Sequence, residues 1–145
     1  HDDGHETKNF HSRDGHGIKM MLRAGVEAII ITGRTSRVVE LRAKDLGITE
    51  LHQKVTDKWP VFEEALKRRG LTPAQAAFAG DDVVDLPVML RVGLAMAPAD
   101  ACPEVKAAAH FISTAPGGRG AAREMVEFLL KGQGRWEELM KKYYA

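Results

Sequence analysis

A short, continuous apolar run, VEAIIIT at residues 26–32, is the strongest structural signal in the sequence. A run of this kind, without polar alternation, is typical of a parallel strand that helices cover on both faces. A helix is predicted to follow from Ser36 to Leu46, and Gly47 is placed to end it in the left-handed conformation. The sequence therefore begins a strand–helix alternation, which favours an α/β fold.

The same alternation continues to the end of the chain. Strands are predicted in AAFAG, GLAMA and HFIST, and helices in KWPVFEEALKRRG, PEVKAAA, GAAREMVEFLLKG and RWEELMKKYY. In LTPAQ, Thr72 is predicted to cap a helical turn with Pro73 in its first position and Gln75 reaching back. We therefore predict a Rossmann-like, doubly wound parallel sheet with helices on both faces, forming one domain over residues 1–145. HETKNFHS, at residues 5–12, alternates and predicts one arm of a β-hairpin.

The overall composition argues against several classes of partner. A formal net charge of +1 gives no bias toward nucleic acid or an anionic membrane, and no apolar run is long enough to span a bilayer. The single cysteine, Cys102, excludes an internal disulfide and suits a reducing compartment. We expect a cytoplasmic globular protein.

Two polar segments follow predicted strands and are expected to meet at one edge of the sheet, since ligands of such sheets bind at the carboxyl ends of the strands. The first is Thr32-Gly33-Arg34 and the second is Gly80-Asp81-Asp82. Adjacent carboxylates repel, and Mg²⁺ is a cation that such oxygen ligands suit. The alternative is a capping cluster without a metal, and Asp85 could orient the pair or cap the next helix.

Other residues add weaker signals for anion binding. Thr32 and the neighbouring backbone amides could hold a phosphate, with Arg34 contacting a phosphate or carboxylate, although an ordinary turn would look the same. Lys58 is predicted at a helix start, where it opposes the helix dipole, but surface lysines are common. The glycine-rich segment GGRGAARE could bind an anion or be a flexible turn.

The order of these pieces, a strand-end Thr, a helix-start Lys and a strand-end Gly-Asp-Asp, resembles the haloacid dehalogenase superfamily of phosphotransferases. Response-regulator receivers place their paired acids first. The segments IITGR, LGI, GDDVVDLPVM, GLAMAPADA and GGRGAAREM are similar to those of its cap-less 3-deoxy-D-manno-octulosonate 8-phosphate phosphatase family. The resemblance implies Mg²⁺-dependent hydrolysis of that phosphorylated sugar acid in lipopolysaccharide precursor synthesis. It also implies a homotetramer in which a neighbouring subunit completes the site.

The resemblance assigns a role to each matching residue. Thr32 would bind the phosphoryl oxygens, Lys58 would neutralise their charge, Asp81 would ligate Mg²⁺, and Asp82 would support it. Substrate contacts would be made by His11, Ser12, Arg13, Asp14, Gly15, Lys19, Gly33, Arg34 and Arg42. The cations among them, Lys19, Arg34 and Arg42, suit the carboxylate of a sugar acid.

One departure from the family is large. Its first motif is an apolar strand that ends in Asp-x-Asp-Gly, whose first aspartate attacks phosphorus, and the 145 residues contain no such motif. We expect the nucleophile and the central strand to belong to an N-terminal segment absent from this sequence. The alternatives are a truncated, inactive product that binds or assembles without turnover, or a phosphatase for a related nine-carbon sugar acid phosphate.

Overall fold

The computed structural model describes residues 11–145 and shows helices and strands alternating along the chain. The helices are α1 (Ser12–Arg23), α2 (Arg37–Leu46), α3 (Lys58–Arg68), α4 (Leu86–Met89), α5 (Pro103–Ala108), α6 (Ala121–Gly132) and α7 (Trp136–Tyr144). The strands are β1 (Ile29–Ile31), β2 (Glu50–His52), β3 (Ala77–Ala79), β4 (Leu94–Ala97) and β5 (Phe111–Ile112). Two 3₁₀ turns, Pro73–Gln75 and Val83–Asp85, flank β3.

Local sequence signals explain the predicted boundaries. The Ser36 hydroxyl accepts a hydrogen bond from the Val39 amide and starts α2, and Gly47 ends it with φ 87°. The Gln75 side chain accepts a hydrogen bond from the Thr72 amide at 2.9 Å. That contact forms the turn predicted in LTPAQ, which is a single 3₁₀ turn before β3.

All strand pairs are parallel, which confirms the predicted α/β class. β1 pairs with β2, with Ile30 opposite Leu51. β4 lies between β3 and β5, with Phe78 opposite Ala95 and Met96 opposite Phe111. Within the described residues the strands therefore form a two-stranded and a three-stranded sheet, in the orders β1-β2 and β3-β4-β5.

A cleft of about 1040 Å³ lies between the two sheets. β1 and β3 both line it, and each pairs with a strand on one side only among residues 11–145. Phe62 and Leu66 of α3 line the cleft together with Met125 and Val126 of α6. A largely apolar cleft thus separates β1 from β3 among the described residues.

Apolar clusters hold the layers together. The largest is built on Phe62, Leu66, Val88, Met89 and Val105, and Ile29, Ile31 and Phe78 of the strands pack against it. A second, on the α1 and α6 side, contains Met20, Val126, Leu130 and Trp136. The first cluster packs helices against the strands and the second packs helices against each other, and both contain fully buried side chains whose burial stabilises the fold.

The predicted hairpin arm at residues 5–12 is tested only at its end. Residues 5–10 lie outside the described part of the chain, and Ser12 begins α1 instead of continuing a strand.

Two glycines of α1 allow close packing. An added Cβ on Gly15 would lie 2.2 Å from Nη2 of Arg42, and one on Gly17 would lie 2.9 Å from Cδ of Arg123.

Candidate active site

The buried carboxylate of Asp85 organises the acidic corner that follows β3. Its Oδ1 accepts a hydrogen bond from Nζ of Lys58 at 2.6 Å, and the two side chains are only 4% and 12% exposed. Its Oδ2 accepts from the amides of Asp81 at 2.9 Å and Asp82 at 3.3 Å. Asp85 therefore fixes both the lysine and the backbone that carries the paired acids.

The two adjacent acids have different environments. Asp82 caps the 3₁₀ turn, since its Oδ1 accepts a hydrogen bond from the Val83 amide at 2.7 Å. Asp81 lines the cleft and keeps solvent contact, yet partial burial raises its pKa above the usual value, with Asp85 adding to the rise. A raised carboxylate pKa in a cleft marks a position where a cation would relieve electrostatic repulsion.

Backbone contacts join Thr32 to this corner. The Thr32 amide donates to the His52 carbonyl at 2.9 Å, and the Thr32 carbonyl accepts from the Val55 amide at 3.1 Å. The segment that begins at Val55 leads directly into Lys58 at the start of α3. These contacts and the Lys58–Asp85 hydrogen bond connect the Thr32 loop with the acidic corner, although Thr32 is not among the residues that line the cleft, whereas Lys58 and Asp81 are.

The Thr32 hydroxyl is held in one orientation. Its Oγ1 accepts a hydrogen bond from the Arg34 amide at 3.2 Å, so the hydroxyl proton can be donated outward. The Arg34 side chain is exposed beside it, and Gly33 is also exposed. The Thr32 hydroxyl, the exposed backbone at Gly33 and the ammonium group of Lys58 are the kinds of hydrogen-bond donor that suit a phosphoryl group.

The N-terminal turn of α1 borders the opposite side of the cleft. Asp14 is buried and accepts hydrogen bonds from the amides of Gly120 at 3.1 Å and Arg123 at 2.9 Å, so it caps the start of α6. His11 lines the cleft, and its buried Nδ1 has no hydrogen-bond partner within residues 11–145. Ser12 and Arg13 are exposed in the same turn.

The predicted sugar-acid cations are dispersed. Arg42 lines the cleft and packs against Gly15, which makes Gly15 a packing position. Lys19 lies on the exposed face of α1, where it helps to lower the pKa of His16, after burial and Arg123. Lys19 is not among the residues that line the cleft.

Hydrogen bonds hold the glycine-rich segment at residues 117–120 at the border of the cleft, and its anion binding stays a prediction. Gly117 and Gly118 line the cleft, and the Gly117 amide donates to Asp100 Oδ1 at 2.9 Å. Glu124 accepts hydrogen bonds from Thr114 and Ala115, which fixes the loop before α6.

The sequence predicts an orienting or capping role for Asp85 but not its hydrogen bond with Lys58, which lies 27 positions away. Spacing alone gives no sign of that contact. The spacing of three acids in GDDVVD was the available signal.

The donor set at the acidic corner fits Mg²⁺ held by few protein ligands. Within residues 11–145 no three His, Cys, Asp or Glu side chains converge in a ready-made metal site. Asp81 and Asp85 both line the cleft, but Asp85 already accepts hydrogen bonds from Lys58 and two backbone amides, which makes Asp81 the candidate ligand. Mg²⁺ commonly takes one or two carboxylates and completes its shell with water and phosphate oxygens.

The helices carry no sign of a bilayer-crossing segment. In the described part of the chain, none combines the length and the apolar character that a membrane span requires.

A sequence profile of haloacid dehalogenase-like hydrolases matches residues 42–125. The matched range contains Lys58 and the whole acidic corner. The match covers more than half of the chain, so the fold and the site belong to a haloacid dehalogenase-like hydrolase.

Comparison with individual relatives narrows the assignment from haloacid dehalogenase-like hydrolases to one phosphatase family. The chain is 43% identical over 135 residues to 3-deoxy-D-manno-octulosonate 8-phosphate phosphatase KdsC of Escherichia coli K12, covering 93% of this chain and 72% of that protein. The matching protein of Yersinia pestis is 42% identical over 134 residues. The chain belongs to this phosphatase family within the haloacid dehalogenase-like hydrolases.

Solved structures agree with that assignment. A probable YrbI family phosphatase from Pseudomonas syringae superposes with a TM-score of 0.97 at 46% identity, covering all of this chain and 82% of that one. The Moraxella catarrhalis 3-deoxy-D-manno-octulosonate 8-phosphate phosphatase, in complex with magnesium, phosphate and KDO, superposes with a TM-score of 0.95 at 34% identity. It covers 99% of this chain and 82% of that one.

Proposed function

We propose that this protein hydrolyses 3-deoxy-D-manno-octulosonate 8-phosphate to the free sugar acid and inorganic phosphate, with Mg²⁺ as cofactor. The observation that carries the proposal is the buried Lys58–Asp85 pair, which holds an ammonium group beside Asp81 at the mouth of the cleft. The family relationship supports the substrate, since relatives at 42–43% identity carry that substrate in their names.

Each residue of the edge has a distinct part in this proposal. The Thr32 hydroxyl donates a hydrogen bond to a phosphoryl oxygen, and Lys58 neutralises charge that develops on the equatorial oxygens. Asp85 positions Lys58 and, through two amides, the backbone of Asp81 and Asp82. Asp82 supports the corner by capping the 3₁₀ turn.

Asp81 is the protein ligand that we assign to the metal. Mg²⁺ bound there supplies charge neutralisation for the phosphoryl group. Without it, the carboxylate lies next to Asp85 and Asp82, which both contribute to its raised pKa.

The nucleophile belongs, in this proposal, to a strand that enters the central cleft. The one-sided pairing of β1 and β3 supports it, since an inserted strand could pair with both. A strand parallel to them would end beside Lys58 and Asp81. An aspartate at that end could attack phosphorus in line and break the P–O bond to the sugar acid, which would leave as its alcohol; water would then attack the aspartyl-phosphate, release inorganic phosphate and restore the aspartate. The 145 residues would form one catalytic domain that such a strand completes.

The remaining substrate contacts stay a proposal. They are His11, Ser12, Arg13, Asp14, Gly15, Lys19, Gly33, Arg34 and Arg42. His11, Asp14, Gly15 and Arg42 line the cleft, which supports their inclusion. Lys19 is exposed and lies outside the cleft lining, so its inclusion rests on the family resemblance alone. A homotetramer, a cytoplasmic location and a role in lipopolysaccharide precursor synthesis belong to the same proposal.

A substrate panel tests the function. Phosphate release is measured with the eight-carbon sugar acid phosphate, a nine-carbon sialic-acid-type phosphate and p-nitrophenyl phosphate, each with Mg²⁺ and with EDTA. The polypeptide is assayed as the 145 residues and with an N-terminal extension that supplies an apolar strand ending in Asp-x-Asp-Gly.

We expect Mg²⁺-dependent turnover of the eight-carbon substrate by the extended polypeptide and none by the 145 residues. If the protein preferred the nine-carbon compound, that compound would replace the eight-carbon sugar acid phosphate as the proposed substrate. Absence of turnover in both polypeptides would favour a binding or assembly role, and equal turnover in both would exclude the added strand as the source of the nucleophile.

A further inference from the structure

Lys54 has a backbone conformation that lysine rarely adopts. Its φ is 57°, and it is the only residue other than glycine with positive φ within residues 11–145. Glycine and asparagine accept this left-handed region at low cost, whereas a long side chain at such a position is strained. Strain of this kind concentrates at functional sites, so the retained lysine calls for an explanation.

Hydrogen bonds on both sides fix this position. The Lys54 amide donates to the Arg34 carbonyl at 3.3 Å, and the next amide, of Val55, donates to the Thr32 carbonyl. On the other side, Gln53 accepts from the Ser36 amide at 2.7 Å and donates to Glu40 at 2.7 Å. The surrounding structure therefore determines the backbone of Lys54, and the strain is maintained.

These contacts place Lys54 beside the predicted phosphate loop. Residues 32–34 and 53–55 form two adjacent loops that follow the carboxyl ends of β1 and β2 and are joined by backbone hydrogen bonds. Arg34 and Lys54 are both exposed on these loops, and within the described residues neither side chain forms an ion pair. Lys58, by contrast, is 12% exposed and paired with Asp85. Lys58 is thus a paired ammonium group that lines the cleft, whereas Arg34 and Lys54 are exposed cations outside the cleft lining.

A substrate with two separated anionic groups could use Lys58 for one group and the exposed cations Arg34 and Lys54 for the other. A sugar acid phosphorylated at the far end of its chain carries phosphate at one end and carboxylate at the other. We propose that Lys54, together with Arg34, binds the carboxylate end and selects sugar acid phosphates over simple phosphate esters. The inference rests on the proposed function, because it assigns the second anionic group of that substrate.

Equilibrium binding tests the role without needing turnover. The probes are inorganic phosphate and a phosphonate analogue of the sugar acid phosphate in which a CH₂ group replaces the ester oxygen, both measured by calorimetry with Mg²⁺. The variants are Lys54→Gly and Lys54→Asn, which remove the charge but suit the backbone, and Lys54→Arg, which keeps it. Lys44→Ala, an exposed lysine in the last turn of α2, is the matched control.

We expect Lys54→Gly and Lys54→Asn to weaken phosphonate binding roughly two- to fivefold at low salt, as for an exposed ion pair. Phosphate binding should not change, and Lys54→Arg and Lys44→Ala should bind like the wild type. The loss should shrink at about 0.5 M salt because the charges are screened. Lys54→Gly should also raise Tm by about 2–4 °C, since it relieves strain.

The outcomes separate the two proposals. Unchanged phosphonate affinity in Lys54→Gly, or an equal loss for phosphonate and phosphate, would overturn the role of Lys54 alone. A wild-type protein that binds the phosphonate no better than phosphate would overturn the proposed substrate, and this inference with it. A lowered Tm in Lys54→Gly would refute the strain on which the argument is built.

Discussion

The pair between Lys58 and Asp85 should dominate the stability of the candidate site. Replacing Asp85 with alanine leaves an almost buried ammonium group without its carboxylate and removes the acceptor of two amides. Breaking a buried pair in this way costs roughly 3–5 kcal/mol. Asp85→Asn keeps an oxygen for the amides but loses the charge, so we expect roughly 2 kcal/mol.

Urea denaturation at pH 7 measures both costs, and a double-mutant cycle with Lys58→Met isolates the pair. In the Lys58→Met background, Asp85→Asn should cost roughly 1–2 kcal/mol less than in the wild type. The control is Glu63→Gln, which removes an exposed pair with Lys67 at 3.8 Å and should cost less than about 0.5 kcal/mol. If Asp85→Asn cost no more than Glu63→Gln, the argument that this pair organises the site would be wrong.

Three further predictions concern catalysis, capping and pH. Lys58→Ala and Asp81→Asn should each lower the kcat of phosphate release about 100-fold or more, and retained turnover would remove the assigned role. Asp14→Ala should cost about 1–2 kcal/mol in urea denaturation because α6 loses its cap, and an unchanged midpoint would contradict that contact. Hydrogen bonds from Arg68, opposed in part by burial, lower the pKa of Glu50 from 4.5 to about 2. The stability that Glu50 contributes should therefore be complete above about pH 4.5 and lost as pH falls toward 2, and the difference from Glu50→Gln should shrink in that window.

Local signals were sufficient to predict much of the fold. Apolar runs predict four of the five described strands but not β2, whose segment Glu50–His52 is short and mostly polar. Ser36 and Gly47 mark both ends of α2, because caps depend on residues that are close in sequence. The helix α1 was not predicted. Gly15 and Gly17 lower helix propensity, and the reason for their presence is packing against Arg42 and Arg123, which only the tertiary structure shows.

The site was predictable in position but not in its contacts. The rule that ligands bind at the carboxyl ends of parallel strands predicts Thr32 and Asp81 at one edge, and hydrogen bonds of Val55 and Asp85 link the segments that carry them. The pairing of Lys58 with Asp85 and the strained backbone of Lys54 could not be predicted, because each depends on loops that meet through the fold. Sequence patterns report periodicity and caps, whereas side-chain partners across the sheet edge depend on packing.

The central claim is that Thr32, Lys58 and Asp81 share one phosphate group and one divalent cation. A crystal structure of the protein grown with Mg²⁺ and inorganic phosphate tests it directly. The account predicts a metal ion bound by an Asp81 oxygen and a phosphate that accepts hydrogen bonds from Thr32 Oγ1 and Lys58 Nζ. A metal ion elsewhere, or a phosphate that contacts neither Thr32 nor Lys58, would contradict it.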